Sequence, residues 1–289
     1  MRYFFESLLG GYFPYVRYRL HERFVRPLSG WWCRCLSVPY LPLISAQIVS
    51  HCNLNCKCCN ALSPIAEAGF YDVGQLEKDL LELASKIRTN VLILVGGESL
   101  LHPNIIDILK CSRRAFPKTH IVLLTNGVLA KSMPDAFWKA AREARIVFHV
   151  TVYPPFAASG IFDFIKERAT LAMPGPKVGS EWSRRAYSFK RSRDDTVRFF
   201  KACYWKCHML SNSKLFVCQS YCLQHYNRYF NENHETVKGY DIYKYSGKEL
   251  VEFMKRPDPA CRYCTWVMKK ETAQWDYSKR EKSEWCEDV

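Results

Sequence analysis

Residues 43–59 read Leu43-Ile44-Ser45-Ala46-Gln47-Ile48-Val49-Ser50-His51-Cys52-Asn53-Leu54-Asn55-Cys56-Lys57-Cys58-Cys59. The stretch from Leu43 to Val49 is a short apolar run with β-branched residues, the pattern of a buried strand, and a loop rich in Asn and Cys follows it. Cys52, Cys56 and Cys59 have the spacing Cys-x3-Cys-x2-Cys, so one loop offers three thiolates. An iron–sulfur cube has four irons; three protein thiolates leave one iron free for an outside ligand, whereas a closed structural site normally uses four. An open iron implies chemistry. A zinc site or a redox-sensitive cysteine cluster is the alternative use of the same residues.

Outward from this loop the chain repeats a strand, a loop and an amphipathic stretch, which is the signature of βα units and a parallel sheet. Leu76, Leu80, Leu83 and Ile87 lie three and four residues apart and predict a helix over residues 73–88. A second strand is expected at 91–95, a helix at 104–116 with Pro103 at its first position, and a third strand at 121–125. Helix 133–144, strand 146–152 and helix 161–172 continue the series, and one or two more strands within 177–198 would complete it. Beyond Cys203, cysteines and turn formers dominate apart from a short helix at 247–255, the mark of a small annex held together by metal. Three regions are therefore expected: an irregular N-terminal extension at 1–42, a domain of βα units at 43–200, and an annex at 201–289.

Each expected strand ends in residues suited to a ligand. Gly96-Gly97-Glu98 follows the second, Thr125-Asn126-Gly127 ends the third, and Thr151-Val152-Tyr153-Pro154 ends the fourth. These are the C-terminal strand ends, the face on which parallel α/β barrels build their sites. In this order, with the cysteine loop, they resemble the radical S-adenosylmethionine (SAM) superfamily.

The resemblance implies an α/β fold, a partial (β/α)6 TIM-like barrel of parallel strands with a cysteine-rich C-terminal auxiliary domain. It also implies a [4Fe–4S] cluster on Cys52, Cys56 and Cys59, whose open iron takes the amino and carboxylate groups of SAM. Reductive cleavage of SAM would then give a 5′-deoxyadenosyl radical that removes hydrogen from a substrate. Contacts to SAM are implied for Gly96, Gly97, Glu98, Asn126 and Thr151. Cys58 stands where the family usually has an aromatic residue; it is expected to be a non-ligand whose backbone faces the adenine.

A second cysteine group comprises Cys203, Cys207, Cys218 and Cys222, followed by Cys261-Arg262-Tyr263-Cys264. Cys203, Ser213, Cys218, Cys261 and Cys264 resemble a Twitch domain, the short form of the SPASM annex, with Ser213 in place of the usual glycine. This implies an auxiliary [4Fe–4S] cluster on Cys203, Cys218, Cys261 and Cys264. Cys207 competes with Cys203 for the first position, and a structural zinc is the alternative metal. Cys33, Cys35, Cys111, Cys222 and Cys286 have no assigned role.

Composition narrows the setting. The chain has 289 residues, 48% of them hydrophobic, enough to bury a large core. Its 14 cysteines fall in groups at metal-ligand spacings rather than as a secreted disulfide framework, which favours a reducing, cytoplasmic compartment. No long apolar run spans a bilayer, and Arg2, Glu6, Arg17, Arg19 and Arg23 interrupt any leader-like segment.

A net charge of +14 attracts anions. This charge suits a phosphorylated or nucleotide-linked sugar, and the single-cluster annex resembles that of a polyol dehydrogenase of the family. The resemblance implies a sugar, polyol or nucleotide-linked sugar as the small-molecule substrate and an external electron donor such as flavodoxin or ferredoxin. A peptide or protein maturase is the second reading. A zinc-binding nucleic-acid module is a third, which leaves Gly-Gly-Glu after a buried strand without a role. Arg184-Arg185 and residues 190–193 are expected to form a solvated charged face, with a grip on a substrate phosphate as the alternative. Phe4, Phe5, Tyr12, Phe13, Tyr15 and Tyr18, mixed with arginines, are expected to pack on the barrel, with peripheral membrane contact as the alternative.

Overall fold

A computed structural model describes residues 38–172, 181–183, 187–203, 208–265 and 272–288. Most of the expected N-terminal extension, with Cys33 and Cys35, lies outside the described residues, as do Arg184, Arg185 and Cys207.

Strand β1 (Leu43–Val49) lies inside the main sheet, with β2 on one side. Ser45 and Ala46 are both buried, as are Ile48 and Val49, so both faces of the strand are covered, which is how a parallel strand reads. Helix α1 (Val73–Lys86) follows, capped where the Asp72 side chain accepts from the Gln75 N–H at 2.8 Å. Its Leu76, Leu80 and Leu83 are fully buried, as their spacing requires. Then come β2 (Val91–Gly96), α2 (Ile105–Ala115), β3 (His120–Thr125), α3 (Asp135–Glu143) and β4 (Ile146–Val150). All four strands pair in parallel, with Ile44 beside Leu92, Leu92 beside Ile121 and Ile121 beside Ile146.

Several expectations are corrected. Pro103 does not open α2: Asn104 is the N-cap, and its N–H is taken by His102 Nδ1 at 3.1 Å, so the proline lies before the helix. The helix expected to run to residue 172 stops early. Helix α4 (Ile161–Lys166) gives way to β5 (Thr170–Leu171), because the open edge of β4 pairs with the chain there and Ala172 donates to Phe148 O at 2.8 Å. Strand β6 (Glu181–Ser183) does not extend the barrel; it pairs antiparallel with β10 (Thr272–Gln274) in a separate two-stranded sheet. Residues 195–202 form helix α5 (Asp195–Ala202).

The main sheet grows instead at the other edge of β1. Strand β7 (His208–Ser211) runs parallel to β1, and β8 (Lys214–Phe216) and β9 (Gly239–Asp241) follow antiparallel. The strand order is β5-β4-β3-β2-β1-β7-β8-β9, an α/β fold on a mostly parallel sheet. The boundary expected near residue 200 therefore falls within one sheet. The later region also holds two α-helices among the described residues, α6 (Leu223–Phe230) and α7 (Gly247–Met254), where one was expected. Leu210, Leu215, Leu223, Ile242 and Leu250 are fully buried in the same core as Ile44 and Leu92, so this region is not a coreless annex.

The turn between β7 and β8 is Asn212-Ser213, with φ of 46° and 61°. Two left-handed residues in a two-residue hairpin make the turn that matches strand twist. Ser213 thus stands where glycine is conformationally cheapest, and its hydroxyl has a use. It donates to Asp79 Oδ2 at 3.0 Å, and the same buried carboxylate also accepts from Gln75 Nε2, Tyr243 Oη and Tyr71 Oη. One carboxylate on α1 thereby ties down the hairpin turn and the chain after β9. Replacing Asp79 with Ala strands several of these donors in the core, and should cost about 3 kcal/mol in urea unfolding at neutral pH.

Candidate active site at the strand ends

Parallel register brings the C-terminal ends of β1, β2, β3 and β4 to one edge of the sheet, so the loops that leave them face one another. The end of β2 follows the chain leaving β1: Gly97 N–H donates to Val49 O at 2.9 Å and Glu98 N–H to His51 O at 3.1 Å. A Cβ on Gly96 would sit 2.2 Å from Val49 O, and one on Gly97 would sit 2.0 Å from His51 O. The two glycines therefore let β2 lie against the root of the cysteine loop. Both also line the cavity described below.

Glu98 is 1% exposed. Its Oε1 accepts from Thr125 Oγ1 at 2.6 Å and Leu100 N–H at 2.9 Å, and Oε2 accepts from Asn126 N–H at 2.7 Å. Its carboxylate oxygens are committed to the end of β3 rather than presented to the cavity. Burial raises its pKa, and these three donors act in the opposite direction. Asn126, fixed in this way, reaches the cysteine loop: its Nδ2 lies 2.8 Å from Asn53 Oδ1 and 3.7 Å from Cys52 Sγ. Thr151 N–H donates to Thr125 O at 3.0 Å, which holds the end of β4 alongside.

Cys52, Cys56 and Cys59 are half-buried and face a cavity of about 250 Å³. Cys58, Gly96, Gly97, Asn126 and Thr151 line the same cavity. Cys58 has φ of 56°, a left-handed residue that turns the chain between the second and third cysteines. Among the expected contacts, Glu98 alone stands behind the wall.

Further lining residues not foreseen as contacts include Tyr153, Gln219 and Trp275. Tyr153 lies in the quoted end of the fourth strand and could have been read there. Trp275 had no local signal. It arrives because residues 275–278 lie along the cysteine loop, with Lys57 N–H donating to Asp276 O at 2.9 Å and Ser278 N–H to Asn55 O at 2.7 Å. Trp275 Nε1–H donates to Cys56 Sγ at 3.3 Å, and Trp285 Nε1–H to Cys59 O at 3.1 Å.

The donor set fits an iron–sulfur group: three thiols on one loop, N–H donors at Cys52 and Cys56, and open space beside them. Among the described residues, no three His, Cys, Asp or Glu side chains converge as tightly as a single metal ion requires. That is a closer arrangement than a cube asks for, since each of its thiolates binds a separate iron.

In the second group, Cys218 follows β8, while Cys261 and Cys264 lie in and just after the turn Pro259–Tyr263. Burial first, then the charge of Cys218, raises the pKa of Cys261. Cys203 caps the end of α5, which packs on that same turn. Cys111, Cys222 and Cys286 are buried. Among the described residues no helix is long and apolar enough to cross a membrane.

Residues 47–157 match the family model described as the Radical SAM superfamily. No curated protein matches the sequence. Among solved structures, the chain is similar to BtrN in complex with S-adenosylmethionine and 2-DOIA, at 16% identity and a TM-score of 0.48, covering 82% of this chain and 98% of that one. It is also similar to Streptococcus suis SuiB bound to S-adenosylmethionine, at 14% identity and a TM-score of 0.34, covering 41% of this chain and 27% of that one. For anSMEcpe with bound S-adenosylmethionine the values are 17% identity and a TM-score of 0.38, over 46% of this chain and 42% of that one. The chain thus spans about a quarter of SuiB and under half of anSMEcpe.

Burial pushes the thiol of Cys52 up to about 12 and that of Cys56 up to about 11. A folded-state pKa above the unfolded one gives stability that is present below the unfolded value and lost as pH rises through the folded one. Unfolding free energy of the metal-free protein should therefore fall from about pH 9, the ordinary thiol value, up to about pH 12. Denaturant titrations of wild type and Cys52→Ser should show a shallower fall in the variant.

Proposed function

We propose that this chain is an enzyme in which Cys52, Cys56 and Cys59 hold a [4Fe–4S] cluster with one open iron, and the adjoining cavity takes S-adenosylmethionine. The observation that carries the reading is the convergence on one cavity of the three thiols with Gly96, Gly97, Asn126 and Thr151, from four separate strand ends. When bound, the cluster and SAM supply a one-electron reduction that yields a carbon radical able to remove hydrogen from a substrate.

The chain's own part is placement. Gly96 and Gly97 allow β2 to hold the cysteine loop by its backbone. Glu98 is a positioning residue: it fixes Asn126, whose amide steadies Cys52 and Asn53. Partial burial of the loop keeps bulk water from a radical formed there.

We assign a second [4Fe–4S] cluster to Cys203, Cys218, Cys261 and Cys264, supported by the electrostatic proximity of Cys218, Cys261 and Cys264. As substrate we propose an anionic or carbohydrate-like small molecule, a sugar, polyol or nucleotide-linked sugar, supported by the net charge of +14. An external donor such as flavodoxin or ferredoxin would deliver the electron in the cytoplasm.

Anaerobic reconstitution with iron and sulfide should give a brown protein with about eight irons per chain, and zinc in their place would overturn the reading. With SAM and dithionite it should release 5′-deoxyadenosine, and Cys52→Ala should abolish that release while keeping about four irons. A modified peptide as the product in cell extract would overturn the substrate class alone.

A further inference from the structure

The Cys52 sulfur accepts from Leu54 N–H at 3.4 Å and lies 3.7 Å from the Asn126 amide, whereas Cys56 is met at its sulfur by two aromatic side chains. The indole N–H of Trp275 lies 3.3 Å from its sulfur, and the Tyr153 hydroxyl is hydrogen-bonded to the same atom. The two aromatic rings tilt together with centroids 6.1 Å apart. Trp275 is also held in place. Cys56 forms a bridge with Tyr277, Lys57 N–H donates to Asp276 O, and Asn55 exchanges bonds with Ser278 through backbone and side chain. This indole is therefore delivered to the sulfur by a backbone track, from a segment 219 residues away in sequence.

A donor aimed at a cluster sulfur draws electron density from it. It stabilises the reduced cluster, which carries more negative charge, more than the oxidised one, and so raises the reduction potential. We infer that Trp275, with Tyr153, is a positioning residue that sets the reduction potential of the cluster on Cys52, Cys56 and Cys59, by hydrogen bonding to the Cys56 sulfur. This rests on the cluster assignment made above.

The test is a redox titration of reconstituted protein without SAM, with the reduced cluster followed by electron paramagnetic resonance. Trp275→Phe keeps an aromatic ring and removes the N–H, and Tyr153→Phe removes the hydroxyl. Each should lower the reduced-to-oxidised ratio at a fixed potential about tenfold, equivalent to about 59 mV for a one-electron couple. If Trp275→Phe loses the cluster, Tyr153→Phe decides by the same readout. Variants that hold the cluster at the wild-type potential would overturn this inference and leave the cluster assignment standing. A wild-type protein that takes up no iron–sulfur cluster would overturn both.

Discussion

Two carbonyl oxygens, those of Val49 and His51, fill the space in which side chains at positions 96 and 97 would begin. Because of that contact the second strand can run alongside the first past its last regular residue, and the cysteine loop starts from a backbone that is already fixed. Everything at the strand ends depends on it. Glu98, placed next along the chain, then satisfies two N–H groups and one hydroxyl, and in doing so aims Asn126 back at the loop. The order of causes runs from glycine to carboxylate to amide to thiol, without an ion pair. Backbone contacts and hydrogen bonds to one buried carboxylate hold this wall.

The first half of the fold was legible because its physics is local. Leu76, Leu80 and Leu83 announce a helix by spacing, and the strand at residues 43–49 announces itself by apolar and β-branched content. The strand-end residues were legible as well, since parallel strands place them on one face wherever the register falls. Glu98 shows the limit of this: its position could be read, but whether its carboxylate faces a ligand or the protein depends on the donors of Thr125 and Asn126, which no spacing reveals.

The second half was harder because its pairings are remote. Strand β7 joins β1 across more than 150 residues, and nothing in His208–Ser211 states which edge it will take. The expectation of a metal-held annex overlooked Leu210, Leu215 and Leu223, which enter the common core. Ser213 was noted only as a departure from glycine; the positive φ of the hairpin turn and the buried Asp79 together account for a residue that tolerates that backbone and carries a hydroxyl. Tyr153 and Trp275 bring aromatic surface to the cavity.

The pairing of residues 275–278 with the cysteine loop also has a consequence for how the molecule is made. The segment that lies along the loop leaves the ribosome more than two hundred residues after the loop itself. Until that segment emerges, the thiols lack their indole partner. A nascent chain stalled before residue 275 therefore presents these thiols without their indole cover.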